Sequence, residues 1–203
     1  MHVWSDKGIV LSAHGYANKY RIIDIFTRAH GRCLGLAGIS KYVRFSVFSI
    51  VVVDHSSSNE ISLGFWRLQS EAKSWIHIMD SITHILVCQG ICSLLMKVIP
   101  LAVPHEGLFD LVYDIARNLR SFSNQEALSA YAYFEFLLLT GTGFGINPQT
   151  RNSERLGELW SRGIGSCISA ADIAVSLEVT GEEIKTHIPE YHNPLRDEIS
   201  KFL

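Results

Sequence analysis

Cysteine is scarce in this chain: four residues among 203, at positions 33, 88, 92 and 167. A four-ligand zinc site needs close pairs in two clusters, and that spacing is absent. Cys88 and Cys92 stand one helical turn apart on an apolar face, where a thiol behaves as a small hydrophobe. No metal is therefore expected. No glycine-lysine phosphate loop and no Gly-x-Ser-x-Gly elbow occur, so neither ATP hydrolysis nor serine chemistry is expected. Met1 to Gly15 lacks a basic start followed by an apolar core, which predicts a cytosolic chain with reduced thiols. The longest apolar run, Ile85 to Ile99, is interrupted by Gln89, Gly90 and Lys97 and is short of the ~20 residues a membrane span needs. It reads as a buried core helix.

Charge is also modest, 19% of residues against 47% apolar, the composition of a globular protein rather than a disordered one. The net charge of −2 alone argues against nucleic acid, but the average hides a split. Lys and Arg outnumber Asp and Glu nine to five in residues 1–75, and are outnumbered fifteen to nine in 76–203. Residues 1–49 carry Lys7, Lys19, Arg21, Arg28, Arg32, Lys41 and Arg44 against Asp6 and Asp24. A basic first part and an acidic second part suggest two modules with different partners.

Five segments rich in Val, Ile, Phe and Leu come first: Gly8–His14, Tyr20–Thr27, Arg32–Gly38, Val43–Val53 and Glu60–Ser70. Turn signals separate them, among them His30-Gly31 and Asp54 to Asn59. Five short strands in about 70 residues fit a small closed barrel of the oligonucleotide-binding type, and an SH3-like barrel would give a similar count. The fold class expected is α+β, with a barrel over residues 1–72 and an all-helical domain over 73–203.

The helical half starts with one helix or two over Ala72 to Ile99, with Gly90 as a weak point. Pro100 and Pro104 break it; Leu108, Leu111, Val112, Ile115 and Leu119 mark the next amphipathic helix. Ser123 and Glu126 have capping-box spacing for a third helix, apolar nearly all round and running to about Thr140. Gly141 to Gly145 follows a helix and precedes Asn147-Pro148, so it reads as a left-handed helix stop rather than a phosphate loop. Residues 147–166 look like a loose polar connection. Two short helices close the chain, one over Ser169 to Val179 and one after Pro194, with a capping box at Thr180 to Glu183 between them.

Lone chemical candidates are few. His77, Asp80 and His84 have helical spacing that could hold a metal, and read better as a solvated helix edge. Glu135 lies among Phe134, Phe136 and Leu137, where a carboxylate is paired or has a raised pKa. A structural bond to a backbone N–H, Arg117 or Arg120 is the expected role.

Several blocks of residues resemble the bacterial DNA repair family RecO. Trp4, Gly8 to Ser12 and His14-Gly15 are similar to its opening; Phe26 to Arg28, His30 to Arg32 and Gly35 to Gly38 to its second block. Leu63-Gly64, Pro104-His105, Leu108-Phe109, Phe134-Glu135, Leu137-Leu138 and Gly143 to Gly145 extend the likeness in order over most of the chain. The resemblance implies an oligonucleotide-binding barrel before a helical domain, with no cofactor and no catalytic site. It implies binding of single- and double-stranded DNA, annealing of complementary strands, and loading of recombinase onto DNA coated by single-strand-binding protein. The partners it implies are RecR and the acidic tail of single-strand-binding protein, in the cytoplasm at the nucleoid, with no membrane partner. The sequence departs from the family where many members carry four zinc-binding cysteines, since only Cys167 stands there, and in the loop after Gly38, whose cations are only Lys41 and Arg44.

Lys19, Arg21, Arg28, Arg32, Lys41 and Arg44 are the expected DNA-binding residues. Arg117 and Arg120, beside Leu119 and Phe122, are the expected contacts for an acidic, aromatic-ended tail. An RNA-binding barrel and a protein-interaction scaffold are the alternatives.

Overall fold

A computed structural model describes residues 2–16, 19–38, 46–59, 63–71, 81–149, 152–161 and 168–191. The chain divides into two compact units: residues 1–80 with 92–118, and 81–91 with 119–203. The expected boundary after residue 72 falls beside residues 72–80, outside the described ones.

The first unit holds five strands: β1 (His2–Tyr16), β2 (Tyr20–Thr27), β3 (Gly31–Gly38), β4 (Ile50–Ser57) and β5 (Gly64–Ser70). They close into a barrel in the order β1-β2-β3-β5-β4. β1 is long because it serves two partners: His2 to Ile9 pairs with β4, and Gly8 to Tyr16 pairs with β2. A bulge between Val10 and Ser12 lets it turn the corner. Val10, Ile23, Ile25, Ala37, Val51, Val53 and Trp66 fill the interior.

Outside the barrel, Asp24 and Phe26 on β2 are buried as well. Helix α2 (Glu106–Asn118) covers that end, with Phe109 meeting Phe26 edge-on at 5.6 Å between ring centroids. This cover explains why β2 reads as mixed rather than alternating.

β4 corrects the sequence reading. The strand lies at Ile50–Ser57, not Val43–Val53; residues 46–49 are not strand, and 43–45 lie outside the described residues. Asp54, His55 and Ser56 look like turn residues, yet His55 pairs with Trp4 on one side and Trp66 on the other. Cross-strand packing on those rings outweighs the turn preference.

Helix α1 (Ile82–Val98) runs from the second unit into the first. Gly90 is a close approach rather than a weak point, since a Cβ there would sit 2.8 Å from Cε2 of Tyr131. In the second unit, α3 (Asn124–Gly141) starts on the expected capping box. Ser123 Oγ accepts from the Glu126 N–H, and Glu126 Oε2 accepts from the Ser123 N–H at 2.7 Å. The helix ends as read, with Gly143 at φ +81°.

Two helical expectations are corrected. Residues 153–160 form α4 (Ser153–Trp160), not a loose connection, anchored by buried Leu156 and Trp160 one turn apart. The expected break at Thr180 is absent, and α5 runs unbroken over Ala170–His187. Thr180 is buried inside it and donates to Glu135 Oε2 at 2.5 Å. Among the described residues, no helix is long and apolar enough to cross a membrane.

Candidate nucleic-acid interface

At the hairpin joining β1 to β2, Tyr16 faces Tyr20 across the strand pair. Lys19 and Arg21 flank Tyr20 in sequence, and all three are exposed. Neither cation makes an ion pair or hydrogen bond among the described residues, so both charges are open to solvent. Register carries the surface onward: Ile22 pairs with Leu36 of β3, and Leu36 with Phe65 of β5. This row lies on the outer face, since the alternate residues Ile23, Ala37 and Trp66 fill the core. Phe65 is 51% exposed and Tyr20 38%, and their rings meet edge-on at 6.0 Å. Arg67, two residues beyond Phe65 on the same strand face, is exposed as well. Tyr20, Phe65 and Arg67 share this outer face and can stack bases beside a cation, whereas Arg21, paired with the core residue Ala37, lies on the opposite face of β2 at its exposed end.

The other predicted cations divide. Arg28 is exposed but fully engaged: Nε and Nη2 meet Asp110 at 2.8 and 3.0 Å, and Nη1 meets Glu106 at 3.0 Å. These bonds hold the Asp110 carboxyl below its ordinary range and raise Arg28. Arg32 is half-buried. Its Nε and Nη2 grip Asp24, at 2.9 and 2.7 Å to Oδ2, while Nη1 donates to the carbonyls of Met96 and Ile99 at 2.6 and 3.2 Å. That guanidinium joins a buried carboxylate to the C-terminal end of α1, where carbonyls lack helical partners. Lys41 and Arg44 lie outside the described residues. Lys19 and Arg21 thus stand exposed at one end of β2, while Arg28 and Arg32 have intramolecular partners.

Arg117 belongs to the first unit and lies 5.7 Å over the Tyr113 ring. Arg120 belongs to the second unit and is exposed in a single 3-10 turn, Leu119–Ser121. Leu119 is fully buried, so it offers no apolar anchor beside them.

Sequence reasoning missed Tyr20, Phe65 and Arg67. The signal was the outward alternation of Phe65 and Arg67 along β5 beside Tyr20 of β2, legible only once the inward residues are known. It also missed a ring column at the barrel mouth, where His30 lies flat on Trp4 and His55 stacks on Trp4 and tilts against Trp66. Burial and the neighbouring His30 lower the pKa of His55. Cys33, nearby, is pushed up to about 11 by burial and the charges of Asp24 and Asp6, and is a neutral thiol. His77, Asp80 and Cys167 lie outside the described residues, and no group of three or more metal-ligating side chains forms among those described.

A closed five-stranded barrel of this strand order is an oligonucleotide-binding fold. Comparison with known proteins agrees. Residues 1–55 match the family described as Recombination protein O N terminal. DNA repair protein RecO of Wolbachia sp. subsp. Drosophila simulans (strain wRi) is 29% identical over 153 residues, covering 71% of this chain and 60% of the relative. The protein of the same name from Wolbachia pipientis wMel has the same identity and coverage. That of Rhodopseudomonas palustris (strain BisB5) is 28% identical over 156 residues, covering 71% and 58%. Over residues 1–55 the chain matches that family's description, and over most of its length it is similar to curated DNA repair proteins RecO. It spans about 60% of the length of these curated relatives.

Proposed function

We propose that this protein is a DNA-binding recombination mediator in DNA repair, and that its barrel holds nucleic acid on the β2–β3–β5 face. The observation that carries this is the exposed Tyr20–Phe65 ring pair with Arg67 on the outer face of an oligonucleotide-binding barrel, with the exposed cations Lys19 and Arg21 at the adjoining end of β2. Such a surface binds rather than reacts: rings stack on bases of any sequence, and cations track the phosphates. Arg67 extends the same face. Lys41 and Arg44 are retained as phosphate contacts, while Arg28 and Arg32 serve the fold.

Similarity to RecO proteins extends the proposal to annealing of complementary strands and to helping recombinase onto DNA covered by single-strand-binding protein, in the cytoplasm at the nucleoid. In this proposal residues 1–72 contact DNA, while the helical residues 73–203 receive protein partners. RecR and the tail of single-strand-binding protein are the partners proposed, with exposed Arg117 on the first unit and exposed Arg120 on the second each a proposed cation for an acidic tail. Titrating labelled single-stranded DNA, its duplex and RNA of the same sequence at two salt concentrations tests the reading. DNA binding that weakens with salt is expected; tighter binding to RNA, or none to DNA, contradicts it.

A further inference from the structure

Beside the face just described lies a cleft of about 510 Å³, walled by Trp4, His30, Cys33, Leu34, His55 and Pro104. Its volume is in the range that holds small organic ligands. One wall is the ring column: His30 lies over Trp4 at 3.8 Å between centroids and 10° between planes, and His55 over Trp4 at 4.8 Å and 28°. His55 also meets Trp66 at 4.7 Å. Every nucleobase has a π face, so stacking on such rings is tolerant of sequence.

The polar groups agree with that ligand. Asp6, the carboxylate behind His30, is engaged: Oδ2 accepts from the Ala29 N–H at 2.8 Å and lies 3.2 Å from His30 Nδ1. His55 is held in its neutral form at neutral pH by burial and by His30. A neutral imidazole edge both donates and accepts, as the edge of a base does. Position agrees too. Leu34 on the cleft wall and Leu36 in the exposed row are two residues apart on β3, about 7 Å along the strand.

We propose that this cleft is a base slot, taking one unstacked nucleobase from a single strand lying on the β2–β3–β5 face. The inference rests on the nucleic-acid reading above. A duplex fills such a slot only by flipping a base out of its stack, which costs unpairing and unstacking. The slot therefore favours single strands.

The test compares Trp4→Leu with Trp4→Phe in binding oligothymidylate and a duplex, with photo-cross-linking of the unaltered protein to a 5-iodouracil oligonucleotide as the second readout. Trp4→Leu is expected to weaken single-strand binding about tenfold and leave duplex binding unchanged, with Trp4→Phe restoring most of the loss. Cross-links are expected on Trp4, His30 or His55. A matched RNA strand is run alongside; a response of either strand to Trp4→Leu supports the slot. Unchanged single-strand affinity in a folded Trp4→Leu, or cross-links confined to Tyr20 and Phe65, overturns it. The underlying reading fails differently: neither strand type binds the unaltered protein, or Lys19→Glu with Arg21→Glu changes neither.

Discussion

Arg32 grips Asp24 with two of its nitrogens and reaches the carbonyls of Met96 and Ile99 with the third, so one guanidinium pins β3, β2 and the end of α1 together. Asp24 is 3% exposed, and removing its partner leaves a carboxylate buried without a countercharge. Arg32→Ala is predicted to destabilise the protein by about 3 kcal/mol, read as a fall in Tm of roughly 10 °C. Arg32→Lys keeps the charge but not the fork, and is expected to recover only part of this. A Tm within a degree or two of the unaltered protein in both variants would show that the clamp is idle.

Gly31 opens β3 at φ +70°, where an added Cβ would lie 2.2 Å from the backbone oxygen of Val103. Backbone cannot yield as a flexible side chain does. The neighbouring Arg32 carbonyl also accepts the Ala102 N–H at 2.8 Å, so the segment is tied in place. Gly31→Ala is predicted to cost more than the ~1 kcal/mol of left-handed strain alone. Gly38→Ala, with open space around it, is the control that thermal melting should leave near the unaltered value.

Acid should act in two stages. His55 has a folded pKa below 6.5, so it resists protonation while the unfolded chain accepts the proton. The unfolded state then binds more protons, and stability falls as pH drops below about 6.5. Asp110, Asp172 and Glu126 have depressed pKa values, through the Arg28 bonds, the Ser169 and Arg155 bonds, and the capping box. Their contributions are present above the ordinary carboxylate range and are lost as pH falls through it. The exposed Arg28–Asp110 pair contributes little, and less still in salt. Chemical denaturation at pH 7.5, 5.5 and 3.5 checks this. His55→Gln should flatten the first stage and Asp110→Asn part of the second.

What was legible in the sequence was local. Periodicity and turn residues point to the barrel, and the Ser123–Glu126 box and the Gly143 stop are set by neighbours in the chain. What was hidden depends on partners far along it. The charges of Arg28 and Arg32 look free until Asp110, 82 residues on, and Met96, 64 residues on, are seen beside them. β4 sits where Trp4 and Trp66 put His55, against its turn-like residues. α4 shows too few apolar residues to be read as a helix, and buried Leu156 and Trp160 alone anchor it. Thr180 carries capping chemistry but is spent on Glu135 inside a longer helix.

In the proposed function the exposed cations Lys19 and Arg21, at the end of β2 adjoining the aromatic barrel face, hold nucleic acid, whereas Arg28, paired with Asp110 and Glu106, does not. The most direct measurement is the salt dependence of single-stranded DNA affinity for the unaltered protein, for Lys19→Glu with Arg21→Glu, and for Arg28→Gln. Losing two phosphate contacts should weaken binding at low salt and lower the slope of log affinity against log salt by about 1.4, while Arg28→Gln leaves both nearly unchanged. Equal slopes in the unaltered protein and the double variant, or a larger loss in Arg28→Gln, would contradict the account.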